Sequence, residues 1–221
     1  MPHQRKARTR FTDSFPSRQQ RKLQLIRMQI AAEAARIMAT ESLSDFHTAK
    51  RKAAERIGSS ERMALPSNLE VQSALLAYQN LYGGSDHARN LHELRQKAVE
   101  VMHLLDAYSP RLTGPVLDGT AGQHTRITLH LFCDQPETLV LDFLERLLPF
   151  KQEQKRIRSA EKDFQNVPVF LIKMGESNIE LILFPPVSLR QAPLSPVDGK
   201  PQQRVSAAEL EKLLQLDSTA A

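Results

Sequence analysis

The hydrophobic period of this chain changes once, at Pro110, and that change limits what it can fold into. Before Pro110 the apolar residues recur at three- and four-residue steps. Beyond it they alternate, or run in short blocks between turn residues. The pattern predicts a helical region followed by a mixed α/β region, an α+β fold. The first predicted helix runs from about Ser17 to Thr40, with Leu23, Ile26, Ile30, Ala34, Ile37 and Met38 on one face. Ser44 is positioned to cap a second, with Phe46, Ala49, Ala53 and Ile57 inward and Gly58 as its stop. Ser67 and Glu70 form a capping box for a third, carrying Val71, Leu75, Tyr78 and, at its margin, Leu81, before a break at Gly83-Gly84. The fourth spans about 85–108 through Leu91, Leu94, Ala98, Val101, Met102 and Leu105.

Past Pro110 the expected elements are a strand at 111–117, a turn at 118–122 and a strand at 126–133. A helix at 136–148 follows, behind Asp134 and Glu137. The charged run from Lys151 to Lys162 reads as a helical connector. Strands at 167–174 and 178–184 flank Gly175-Glu176-Ser177, a hairpin signal. A Pro-rich segment from Pro185 to Pro201 leads to a last helix, capped by Ser206 and Glu209 and carrying Leu210, Leu213 and Leu214. The expected organisation is an arm at 1–17 without apolar periodicity and therefore disordered, helices at 18–108, the mixed region at 109–186, and the Pro-rich segment with its helix at 187–221. No internal repeat is present.

Charge is unevenly placed. Residues 1–27 hold eight Arg or Lys and one Asp, +7, so the rest of the chain is −2 against a net of +5. A basic arm of this kind binds phosphate backbones through counterion release. No aromatic platform for stacking bases is interleaved with those charges. Among 221 residues there is one cysteine, Cys133, so no intramolecular disulfide forms, and a reducing cytoplasm is expected. Its place in an apolar strand predicts a buried core thiol. No apolar run reaches the ~20 residues of a membrane span, so no membrane partner is expected. A secretory signal is not expected either.

Among catalytic signatures, a Walker A loop, a Rossmann glycine fingerprint, Cys-x-x-Cys, His-Glu-x-x-His and a nucleophile elbow are all missing from the sequence. What remains is Gly119-Thr120 followed by the strand Arg126-Ile127-Thr128-Leu129-His130-Leu131-Phe132. The order helix, strand, Gly-Thr turn, strand, helix, hairpin over roughly residues 90–186 resembles the minimal core of the polymerase-β-like nucleotidyltransferase superfamily. In that family the turn is Gly-Ser or Gly-Gly, the next strand carries Asp-x-Asp, and a later strand adds a third carboxylate. Gly119-Thr120 matches the turn, Arg126 and Thr128 stand at the Asp-x-Asp positions, and Glu180 matches the third carboxylate. The resemblance is to a divergent bacterial branch without Asp-x-Asp, sharing Gly-Thr-Ala and the segment Arg-Gln-Ala-Pro-Leu-Ser-Pro-Val-Asp-Gly at 190–199.

The resemblance implies a nucleotide site at Gly119, Thr120, Arg126 and Thr128, with transferase activity degenerate. Glu180 is its one candidate catalytic carboxylate, and Mg²⁺ is a cofactor only if transfer survives. An Arg repels the metal that an Asp would hold, and Thr128 offers a neutral oxygen. Arg126 can instead engage phosphate oxygens directly, with the turn supplying backbone N–H groups. His124 and His130 flank the same strand and make no metal motif.

Two other readings stand beside this one. The helices of 18–58 resemble the opening of a helix-turn-helix regulator, with Lys50, Arg51, Lys52 and Arg56 meeting DNA phosphates. Against it, no recognition helix follows at the short spacing expected. Alternatively, the chain is an interaction scaffold whose Pro-rich segment and last helix dock a protein partner. Nucleotide or nucleic acid is the expected partner on the first two readings.

Overall fold

The computed structural model describes residues 17–41, 43, 45–59, 65–159 and 163–220. The predicted arm, apart from Ser17, lies outside the described residues, as does Ser44. Helix α1 (Arg18–Thr40) opens on a capping box of Ser17 and Gln20. Helix α2 (Phe46–Ile57) is capped by Asp45, whose carboxylate accepts from the Thr48 N–H, and it stops at Gly58 with φ +71°. Helix α3 (Asn68–Tyr82) has the expected Ser67–Glu70 box. Gly83 then ends α3 and opens α4 (Gly84–Leu104). Leu81 is exposed, so the buried stripe of α3 stops short of it.

After a 3₁₀ turn at 106–108 come β1 (Arg111–Thr113) and the short α5 (Pro115–Asp118). The predicted strand at 111–117 is cut short because Gly114 turns at φ +74° and Pro115 starts a helix. Then follow β2 (Ile127–Phe132), α6 (Pro136–Glu145), β3 (Phe150–Arg158), β4 (Phe164–Met174), β5 (Ser177–Phe184), a 3₁₀ turn at 186–189 and α7 (Ala207–Ala220). Helix α6 starts after Gln135 without a side-chain cap, so Asp134 does not play the predicted part.

Of the charged run expected to be helical, residues 160–162 lie outside the described residues and 151–158 lie in strand β3. Its nine residues, all polar but for Phe150 and Ile157, pair antiparallel with β4 from Phe150↔Ile172 to Arg158↔Phe164. Lys, Gln, Glu and Arg favour helix by propensity, and tertiary pairing overrides it here. The fold is α+β, with N-terminal helices before a five-stranded mixed sheet of order β1-β2-β5-β4-β3. Only β2 and β5 run parallel, in the register Thr128↔Glu180.

Strand alternation divides the sheet into two faces. Ile127, Leu129, Leu131, Phe170, Leu181 and their neighbours pack against α4, α6 and α7 in the main core. There Phe143 of α6 meets Phe170 edge-on at 5.9 Å. Each fully buried side chain of this size contributes about 1.5–3 kcal/mol. Phe132, Val167, Val169, Ile182 and Phe184 form a smaller cluster on the opposite face. A third cluster joins α1, α2 and α3 around Ile30, Ala34, Ile37, Ala49, Ala53 and Val71.

The Pro-rich segment is a strap across the second face. Leu194 donates its N–H to the Arg158 carbonyl, and Val205 exchanges backbone hydrogen bonds with Leu112 of β1. Arg204 lies 5.4 Å from the Phe132 ring centroid and donates to the carbonyls of Ser188 and Leu189. Cys133 is half-buried rather than buried, and its thiol points to the Gln135 carbonyl at 3.2 Å. No helix among the described residues is long and apolar enough to cross a membrane.

Candidate functional site

The Gly119-Thr120 turn is a helix stop. Gly119 takes φ +82° as the C-cap of α5, a conformation that favours glycine. Its N–H and that of Thr120 both go to the Pro115 carbonyl. The Thr120 carbonyl accepts from Gln79 Nε2 of α3 at 3.0 Å, and His87 Nε2 of α4 lies 3.2 Å from the Gly119 carbonyl. The amides expected to cradle phosphate are therefore consumed inside the fold.

Arg95 was not anticipated from the sequence and governs the same corner. Its buried guanidinium on α4 donates to the carbonyls of Val116 (3.1 Å) and Leu117 (3.2 Å), and to Asp217 of α7 at 2.7 Å. The available signal was a lone cation bordering the apolar stripe of Leu91, Leu94 and Ala98.

Thr128 and Glu180 do meet, as paired residues of parallel strands on the strap-bearing face. Thr128 Oγ1 is 3.4 Å from one Glu180 oxygen, and Lys155 of β3 donates to both carboxylate oxygens at 2.9 Å. An ammonium thus occupies the position to which a lone carboxylate would draw a cation. Among the described residues no group of three or more His, Cys, Asp or Glu is placed to hold a metal. One lysine-paired carboxylate does not fit the two-Mg²⁺ chemistry of phosphoryl transfer.

Arg126 is exposed, one residue before β2. It lines a shallow groove of about 300 Å³ with Phe150, Leu171, Lys173 and Asn178. The partners of Gly119-Thr120 are α3 and α4, while those of Glu180 are β2 and β3. Among the described residues no hydrogen bond joins the two sets.

His130 is buried beside this row, its ring 4.7 Å from that of Phe184. Among the described residues its Nδ1 has no hydrogen-bond partner. Burial, aided by the positive charges of Arg204 and Lys155, pushes its pKa down to about 3, so the ring is neutral near pH 7. His124 is exposed in the preceding turn.

The cations predicted on α2 are mostly engaged. Lys50 donates to the Pro66 carbonyl and Asn68 Oδ1, and burial lowers its pKa. Lys52 pairs with Glu41, and Arg56 with Glu33 and Glu41. Arg51 is exposed. The first turns of α1 are different. Arg18, Arg21 and Lys22 are exposed and form no ion pair among the described residues, and the first turn of α1 contains no acid.

The segment expected to dock a partner is folded onto its own chain. Beyond the strap, α7 buries Leu210, and Glu211 lies 2.8 Å from His103 of α4. Comparison with family models, curated proteins and solved structures found no match for this chain.

Proposed function

We propose that this chain binds nucleic acid through its basic N-terminal arm and the first turns of α1, and that nucleotidyl transfer is degenerate. The observation that carries this reading is where the unneutralised cations lie. On α2, Lys50, Lys52 and Arg56 are held by Asn68, Glu33, Glu41 or backbone, and among the described residues only Arg51 is exposed without an ion pair, whereas Arg18, Arg21 and Lys22 stand exposed together at the positive end of a helix. Cations there oppose the helix dipole at a cost of about 0.3–1 kcal/mol each. A polyanion offsets that cost, and the arm preceding α1 extends the same charge. The nucleotidyltransferase likeness rests on the sequence motifs alone, and Glu180, paired with Lys155, does not supply a carboxylate set for the metal.

The test is binding of labelled single-stranded and duplex oligonucleotides as a function of salt. Each phosphate that the protein no longer neutralises lowers the slope of log K against log salt by about 0.7–0.9. Arg18→Ala with Arg21→Ala and Lys22→Ala should lower it by roughly 2–3, and deletion of residues 1–17 should lower it further. No binding at low salt, or a slope unchanged by these variants, defeats the reading.

A second reading rests on the groove beside Arg126. Its guanidinium, the neighbouring Lys173 and an apolar wall of Phe150 and Leu171 suit a mononucleotide taken up without Mg²⁺. Calorimetry with nucleoside triphosphates, with and without Mg²⁺, separates the two. Arg126→Ala should abolish mononucleotide binding on this reading and leave oligonucleotide binding unchanged on the first.

A further inference from the structure

The β3–β4 hairpin reaches past the layers that cover the rest of the sheet. β5 pairs with β4 only from Val169 to Met174, so residues 164–168 of β4 pair with β3 alone. On the helix-bearing face, Phe143 of α6 packs on Phe150 and Phe170. Alternation continues that face through Gln152, Gln154, Arg156 and Arg158 of β3, beside Phe164 and Asn166 of β4. All six of these residues are exposed.

The two faces of the hairpin differ in charge. On the strap-bearing face Lys151 pairs with Glu153, Lys155 with Glu180 and Lys173 with Glu176. On the helix-bearing face neither strand carries an acid. Among the described residues Arg156 forms no ion pair, and the side chains of Gln152, Gln154 and Asn166 make no hydrogen bond. Phe164 is 60% exposed, and the Arg156 guanidinium lies 4.4 Å from its ring centroid. That contact steadies the ring and leaves Arg156 its charge and its N–H edges.

This combination selects a ligand. An exposed ring beside a guanidinium is a stacking surface for an unpaired base. The guanidinium edge can meet the neighbouring phosphate oxygens. Each carboxamide brings a donor and an acceptor, the complement of a base edge. A duplex keeps its base faces inside the stack, so it has nothing to lay on Phe164. We infer that this face of the β3–β4 hairpin binds single-stranded nucleic acid, stacking a base on Phe164 and holding phosphate with Arg156. The inference rests on the nucleic-acid reading above and adds a second surface to it. The cations opening α1 attract any polyanion, and the hairpin sets the preference for single strands.

The chain contains no Trp, so Phe164→Trp places a lone fluorescent indole at the stacking position. Circular dichroism checks that the variant is folded. Titration with dT or U oligonucleotides of about 15 nucleotides should quench its emission, and a duplex of that length should not. By anisotropy, Phe164→Ala should weaken single-strand binding about tenfold, with duplex binding and the salt slope unchanged, because no charge is lost. Arg156→Ala should lower the single-strand salt slope by about 0.7. Emission unmoved at saturating single strand, or quenched equally by duplex, overturns the inference. If the α1 variants still lower the salt slope in that case, the α1 reading survives it. Quenching with a salt slope indifferent to the α1 variants does the reverse. A wild type that binds no oligonucleotide at low salt defeats both.

Discussion

Replacing His130 by Leu should make the protein less sensitive to mild acid. The folded ring titrates at about 3, against 6.5 for an ordinary histidine. Between those values the unfolded chain binds a proton that the folded chain refuses, so stability rises with pH across the window and is lost as pH falls from 6.5 toward 3. At pH 5 the ring lies 1.5 units below its unfolded pKa, and at 1.36 kcal/mol per unit the loss is about 2 kcal/mol relative to neutral pH. The interval from pH 7 to 5 lies above the range in which most carboxylates titrate. The remaining histidines are common to both proteins and cancel in the comparison. Urea unfolding followed by circular dichroism at pH 7, 6 and 5 gives the measurement. Wild type should lose about 2 kcal/mol more than His130→Leu between pH 7 and 5. Leu also removes the orphaned Nδ1 from the sheet face, so the variant should at least match wild type at pH 7. Parallel decreases in the two proteins would show that His130 takes up a proton in the folded state, and the account of its burial would be wrong.

Three further variants probe the corners where a site was sought. Arg95→Met strips the Val116 and Leu117 carbonyls of their donors at a buried position, which should cost about 2–4 kcal/mol. That corresponds to roughly 5–15 °C in calorimetric Tm for a chain of this size. Asp217→Asn, at the half-exposed end of the same cluster, should cost less than about 1 kcal/mol, and equal losses would misplace the buried contact. Glu180→Gln should lower Tm by only about 2–4 °C, since Lys155 is exposed and the pair is screened. Mg²⁺ should leave the Tm of both proteins unchanged, and a Mg²⁺-dependent rise confined to the wild type would reveal a metal site at Glu180.

Periodicity made the long helices, the β4–β5 hairpin and the helix-first order legible, because burial of one face leaves a trace every two or 3.6 residues, whereas the one-turn α5 reads as strand in the sequence. β3 left no such trace. Its side chains are exposed on both faces, apart from partial burial of Phe150 and Ile157, so its composition reports solvent while its backbone answers to β4. Gly119 was legible as a special backbone position, and its φ of +82° justifies that. Its use was not, because a helix C-cap and a phosphate turn make the same demand on one residue. Arg95 was hidden for the opposite reason. Its partners are main-chain carbonyls at Val116 and Leu117, and a carbonyl has no sequence signature.

The strap explains why the chemistry suggested by Thr128 and Glu180 does not extend into a cleft. A transferase built on this row would need open space over the sheet face bearing those residues. Here Arg204 covers Phe132 and ties itself to the 3₁₀ turn, Gln203 accepts from Thr113 beside Thr128, and His130 lies buried against Phe184. A buried imidazole without a partner for Nδ1 is costly, and it is tolerable only because the ring stays neutral. The face is therefore spent on holding the strap. Exposed elsewhere are the cations opening α1, the groove at Arg126 and the Phe164 end of the β3–β4 hairpin, the places where binding is proposed. On the proposed readings, Arg126→Ala and the α1 variants should change binding without lowering Tm, because Arg126 is exposed and the α1 cations oppose the helix dipole.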